Sequence, residues 1–332
     1  MRTPRIPDLK IDMQHQTNRP KTRQALLTLA AFSLGFAGLG AIAQTPEQAT
    51  PKVQPTSAVD AVTVASTLKE GETFRYSIRS RSVQQHQKPD ESIVKWINRR
   101  TLLISCVVLE PDEEIGPRVQ VTFDEISLAL LSPTKALRYS SVNQQMNTIG
   151  AAVTVAMDPI VDASITLTLD HEGVIRQIAG TDRLLREKEL RQYSEHIVGE
   201  DAIDQLLGPI FHPMAEPVSD TGSEPWQSRE QMRFEDFATI DFREEWILRR
   251  KNAGRATFKI MSDVTAEFDE RWPKAVLADH RTIGTYTWDE VTGRLHHTEI
   301  NRFYVGDLEN DPDGPSIAGE EVLTISAPIG DN

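Results

Sequence analysis

A single cysteine, Cys106, in 332 residues excludes any disulfide within the chain. The fold must therefore be held by buried apolar side chains. Cys106 sits in the apolar run Leu102–Leu109, which makes it a buried, inert thiol rather than a nucleophile. Aromatics are few, at 6%, and the five tryptophans are scattered rather than grouped into a sugar-binding row, so core packing is their expected role. Signature motifs are also missing. There is no H-E-x-x-H, C-x-x-C, G-x-S-x-G, phosphate loop or dinucleotide fingerprint, which removes zinc-protease, serine-hydrolase, nucleotide and nicotinamide chemistry from the first rank.

Basic residues are in deficit, 36 against 49 acidic. Residues 1–43 widen that deficit, because they read as a secretory signal. Arg19, Lys21 and Arg23 precede an uncharged stretch from Ala25 to Ile42, and Ala41-Ile42-Ala43 supplies a small-residue cleavage site before Gln44. Removing them takes six basic and two acidic side chains from those totals, leaving 30 and 47 and a formal net charge of −17. Such a field repels nucleic acid and anionic bilayers. Cleavage leaves no stable membrane span; the alternative is an uncleaved anchor, since the 18 uncharged residues Ala25–Ile42 are just long enough to cross a bilayer core, and a periplasmic or extracellular location is expected.

Residues 44–61, rich in Pro, Thr, Gln and Ala, read as a linker. Strand alternation follows. Phe74, Tyr76 and Ile78 alternate with polar residues, as do Val119, Val121 and Phe123, and Ile165, Leu167 and Leu169. Asp170-His171-Glu172-Gly173 and Asp289-Glu290-Val291-Thr292-Gly293 read as hairpin connections. The period changes at 181–211. Thr181 or Asp182 is placed to cap a helix carrying Leu185, Leu190, Tyr193 and Ile197, and Ile203, Leu206, Leu207 and Ile210 mark a second. Residues 62–180 and 228–332 thus form two β-rich units around a helical segment and a loop at 212–227. The expected fold class is mainly β (α+β): a curved antiparallel sheet or half-barrel, with two units whose similar punctuation suggests a relationship.

Four segments carry a resemblance: Leu68-Lys69-Glu70-Gly71-Glu72-Thr73-Phe74-Arg75-Tyr76, the strand-turn-strand from Ile165 to Gly180, Pro217-Val218…Gly222…Trp226, and Gly284-Thr285-Tyr286-Thr287-Trp288-Asp289…Gly293. Together they resemble a group of exported bacterial proteins of unknown function, frequent in planctomycetes. The resemblance implies a curved antiparallel sheet with helices packed on it, similar in spirit to periplasmic carriers of lipids and lipoproteins. It brings no catalytic residues.

Few side chains suggest chemistry. Glu309, Asp311, Asp313, Gly314 and Glu320 fall at positions 1, 3, 5, 6 and 12 of a calcium-loop spacing, so Ca2+ is a candidate ligand. Against it, position 1 is Glu, Pro312 and Pro315 stiffen the loop, and the flanks read as strands; a solvated acidic loop is the plainer reading. His296 and His297, adjacent in a strand, should face opposite ways, with His280 a distant third. Glu244-Glu245 and Asp263, Glu267, Asp269, Glu270 are the carboxylates a secreted hydrolase would use. The preferred expectation is a non-catalytic exported protein that binds an apolar or amphipathic small ligand, or an envelope protein. A carrier requires a lined cavity between the sheet and the helices of Leu184–Ile210; an interaction protein, a filled core with an exposed edge; a hydrolase, a cleft where carboxylates converge.

Overall fold

The alternating segments become long antiparallel strands, because each side-chain row that leaves water needs a neighbouring row to pack against. The computed structural model describes residues 62, 67–87, 92–147, 152–185, 188–213, 225–234, 238–268, 270, 275–308 and 316–327. The signal segment, the 44–61 linker and most of the 212–227 loop lie outside them. In chain order the elements are β1 (Thr73–Gln87), β2 (Ile93–Asp112), β3 (Gly116–Leu131), β4 (Ala136–Ser140), α1 (Ala152–Met157), β5 (Ser164–Leu169), β6 (Ile175–Ala179), α2 (Lys188–Val198), α3 (Glu200–Phe211), β7 (Trp226–Phe234), β8 (Ala238–Asn252), β9 (Arg255–Phe268), β10 (Ala275–Asp289), β11 (Arg294–Leu308) and β12 (Ser316–Ser326).

All twelve strands belong to one sheet, in the order β6-β5-β3-β2-β1-β12-β11-β10-β9-β8-β7, with β4 paired to β3. Every pairing is antiparallel, and the curved sheet does not close into a barrel. The first and last of these strands meet at its centre, where β1 pairs with β12 from Ser77↔Ser326 to Gln87↔Ser316. From that seam each half runs outward, the first to the β6 edge and the second to the β7 edge.

The concave face carries the core. Phe74, Tyr76 and Ile78, Val119, Val121 and Phe123, and Ile165, Leu167 and Leu169 are all buried as the alternation requires. They share one cluster with Trp246, Phe258, Tyr286 and Trp288 from the other half. Helix α3 closes it: Ile203, Leu206, Leu207 and Ile210 are buried, and the Tyr286 hydroxyl donates to the Pro209 carbonyl at 2.9 Å. Cys106 is buried in this core, and burial pushes its thiol up, out of the nucleophilic range.

Helix α2 begins later than expected. The amides of Leu184 and Leu185 both donate to the Thr181 carbonyl, a single turn, and the helix starts at Lys188. Leu185 and Leu190 are five residues apart, about 140° around a helix axis, so they could not share one buried face. The short strand β4 and helix α1 carried no periodic signal.

Both hairpin connections form. In each, the aspartate side chain folds back on its own turn: Asp170 Oδ1 accepts from the amides of Glu172 and Val174, and Asp289 Oδ1 from those of Val291 and Thr292. Burial works against both carboxylates, but these bonds, with Arg176 on Asp170 and Arg255 on Asp289, outweigh it and hold them below the usual carboxylate range. A depressed acid stabilises the fold above its unfolded value of about 3.9, and that contribution is lost as pH falls through the folded value. Asp170→Asn should therefore flatten the acid limb of a stability profile below about pH 4, read by urea unfolding at several pH values.

Gly173 has φ +91°, and a Cβ there would lie 2.1 Å from the Phe211 carbonyl oxygen at the end of α3. Glycine lets the β5–β6 turn touch the helix end. Gly173→Ala should cost about 2–3 kcal/mol, seen as a lowered unfolding midpoint.

Candidate functional site

Following the inward-facing register away from the apolar core leads to a polar band. Beyond Ile78 on β1 come Ser80 and Ser82; beyond Leu102 on β2 come Arg100 and Asn98; beyond Ile300 on β11 comes Arg302; beyond Ile325 and Leu323 on β12 comes Glu321. On the far side the band continues through Thr282, Ser262, Glu244 and Ser228. Past it lies a second, smaller buried cluster that includes Ile240, Phe242, Val264, Tyr304 and Ile317.

Arg302 is the hub. Its Nε donates to Glu244 Oε1 at 2.6 Å, and its Nη1 lies 2.8 Å from Glu230 Oε2 and 3.8 Å from Glu321 Oε2. The network continues outward: Ser228 Oγ donates to Glu244 at 2.9 Å and receives Trp246 Nε1 at 3.2 Å, and Ser82 Oγ donates to Glu321 at 3.3 Å. Strands β9 and β10 separate Glu244 from Arg302, so this ion pair reaches across the curved face, level with Ser262 and Thr282. The hydroxyls of those two residues have no hydrogen-bond partner among the described residues. Burial opposes the charge on Arg302, but Glu244 and Glu230 outweigh it and hold the guanidinium firmly protonated. Burial raises the Glu321 carboxyl above its ordinary value, with Arg302 pulling the other way. Arg100 anchors the other end of the band, donating to Gln205 Oε1 at 2.8 Å, Ser80 Oγ at 3.1 Å and the His196 carbonyl at 3.4 Å. The α2–α3 segment is thus tied to the sheet by a charge-assisted contact as well as by packing.

Beside this end of the band lies a cavity of about 370 Å³. Its floor is the concave face: Ser82 and Gln84 from β1, Trp96 and Asn98 from β2, Leu130 from β3 and Leu137 from β4. Gln192, Tyr193 and His196, one face of α2, form the opposite wall, and Lys135 of the β3–β4 turn stands beside them. Lys135 Nζ donates to Gln192 Oε1 at 3.2 Å and lies 6.0 Å from the centre of the Tyr193 ring. Asn98 Oδ1 is buried without a partner among the described residues. Burial, then the Arg100 charge, lowers the His196 imidazole below its ordinary value, so it is neutral at neutral pH.

Trp96 departs from its expected core role: it is 41% exposed and lines this cavity, while Trp226, Trp246 and Trp288 are buried and Trp272 lies outside the described residues. Of the calcium-loop residues, Glu309, Asp311 and Asp313 lie outside the described residues. Glu320 is within β12, where it pairs with Arg81 at 2.8 Å. His280 stands opposite Tyr304 and His297 opposite Thr287, at opposite ends of the β10–β11 ladder, so the three histidines do not gather. Among the described residues no three His, Cys, Asp or Glu side chains converge as a metal site. Glu244 is buried and Glu245 exposed, as strand neighbours on opposite faces must be; Asp263 and Glu267 are exposed too, and Asp269 lies outside the described residues. The polar band had a signal in sequence: charged residues standing in the inward register of otherwise apolar strands.

No protein-family model matches the chain, and no curated protein does either. Solved structures give distant likenesses. A lipovitellin structure concerned with lipid–protein interactions is 9% identical over 78% of this chain, with a TM-score of 0.41, and the match spans only 25% of the lipovitellin chain. DynF from the dynemicin biosynthesis pathway of Micromonospora chersina is 9% identical over 85% of this chain and 92% of its own, with a TM-score of 0.18. An outer membrane channel from Pseudomonas putida F1 is 10% identical over 83% of this chain and 100% of its own, with a TM-score of 0.16. These scores assign neither fold nor function, and the functional reading rests on the chain's own geometry. No helix among the described residues is long and apolar enough to cross a membrane.

The Glu244 side chain is 1% exposed, so losing its partner leaves a buried charge. Arg302→Met should destabilise by about 3–5 kcal/mol in urea unfolding, and adding Glu244→Leu should restore most of that loss.

Proposed function

We propose that the protein binds an amphipathic small molecule in the cavity between β1–β4 and α2, and that it does so outside the cytoplasm. The observation that carries the binding role is the cavity itself: a space of about 370 Å³ between the sheet and α2, where the strands would otherwise pack against the helix. That volume falls within the range of small-molecule sites, about 300–1,000 Å³. Its walls combine apolar surface from Leu130, Leu137 and Trp96 with convergent polar groups from Asn98, Ser82 and Gln192, which suits a ligand with one apolar and one polar part. Location outside the cytoplasm is supported by the basic, apolar and small-residue order of residues 1–43. The buried carboxylate of Glu244 and the partly buried one of Glu321 are engaged by Arg302 and serine hydroxyls, an arrangement suited to holding structure.

Nile red tests the role. The purified chain should bind it saturably at one site, and Leu130→Trp, which places an indole in the cavity, should weaken binding by about tenfold or more while the melting temperature changes little. Equal binding by both proteins would place the dye elsewhere and defeat the reading.

A further inference from the structure

We infer that the ligand of this cavity is a single-chain amphiphile with an anionic head group, an inference that rests on the binding role proposed above. The first ground is the sign of charge. In a chain with 49 acidic and 36 basic residues, the cavity wall has no carboxylate among the described residues; its ionisable groups there are Lys135, His196 and the Tyr193 phenol. Two described carboxylates beside it are turned to other partners: Glu195 lies 2.6 Å from Arg191, and Glu321 is held by Ser82 and Arg302. Lys135, in contrast, contacts neutral groups among the described residues, the Gln192 amide and the Tyr193 ring. An ammonium held by neutral partners at the mouth of an apolar cavity attracts an anion and repels a cation.

The second ground is polarity along the cavity. The helix-side rim supplies donors from Lys135 and Gln192, while Leu130, Leu137 and Trp96 offer apolar contact for a chain. At about 370 Å³ the space lies near the small end of ligand cavities, which favours one alkyl chain over two. A carboxylate or a phosphate monoester at the rim would meet the same donors, so the shared feature is the negative head.

Calorimetric titration below the micelle threshold with laurate, dodecyl phosphate, dodecyl maltoside and dodecyltrimethylammonium tests this, on the purified chain and on its Lys135→Gln and Leu130→Trp variants. At least one anion should bind about fivefold more tightly than the maltoside, and the cation more weakly still; whichever anion binds better separates a carboxylate from a phosphate head. Lys135→Gln should erase the anion's advantage and leave the maltoside unchanged, whereas Leu130→Trp should weaken all of them. Maltoside or ammonium binding as tight as the anions, still lost in Leu130→Trp, would overturn the charge inference and leave the cavity role standing. So would a Lys135→Gln loss shared equally by the maltoside. No binding of any dodecyl compound would overturn the cavity role, and this inference with it.

Discussion

The pairing of the first strand with the last is the constraint on which the rest of the molecule depends. With β1 beside β12 at the centre of the sheet, the first and last described strands lie in the middle, and each half is built outward from them. The two edges, β6 and β7, are consecutive in sequence yet lie at opposite ends of the sheet. The segment that joins them must therefore cross a face. Its described part, α2 and α3, lies on the concave side, where the inward rows of both halves need cover. A helical bridge also satisfies its own backbone hydrogen bonds, which an irregular crossing buried in the core could not do. The core shared by both halves is thus a consequence of topology: once β1 and β12 pair, the helices between the two halves have to lie on the apolar face and seal it.

Lengths then decide where space is left. Strands of about 15 residues run roughly 50 Å, whereas helices of 11 and 12 residues are only about 17 Å long. The helices can seal one level of the face and no more. At that level the inward residues are the apolar ones that α3 covers, and directly beyond it they turn polar, at Arg100, Arg302 and Glu321. Arg100 reaches back to Gln205 and to the His196 carbonyl, which fixes how far the helices sit along the strands. The cavity opens at the flank of α2, where the β3–β4 hairpin rises beside the helix and Tyr193 and His196 stop short of the floor.

Much of this was legible in sequence, and the reason is local. Alternation at Phe74–Ile78, Val119–Phe123 and Ile165–Leu169 and the two aspartate-to-glycine turns depend only on neighbouring residues, and all appear as read. The seam did not show itself, because Ser77 and Ser326 are far apart in sequence and nothing near either one names the other. The start of α2 was misplaced because Leu185 is apolar without being in phase with the residues that follow. The cavity residues were invisible for a different reason. Trp96, Asn98, Leu130 and Gln192 are unremarkable each in its own segment, and only the pairing of β2 with β3 and the docking of α2 bring them together.

The buried charges have a use that alternation cannot supply. Replacing a buried ion pair by apolar residues is often neutral or stabilising, so stability alone does not account for Arg302 among Glu244, Glu230 and Glu321. In a meander of long strands the apolar pattern repeats every second residue. A slip of one residue turns a strand inside out and is excluded by burial, but a slip of two leaves every apolar side chain on its proper face. The polar band removes that ambiguity. If β11 moved by two residues against its neighbours, Arg302 would enter one of the apolar clusters and the Glu244 carboxylate would stay buried without its cation, at a cost of several kcal/mol. Apolar alternation tells each strand which way to face; the charged hub tells it how far along to stop, and the positions of Asn98, Ser82 and the cavity floor follow from that level.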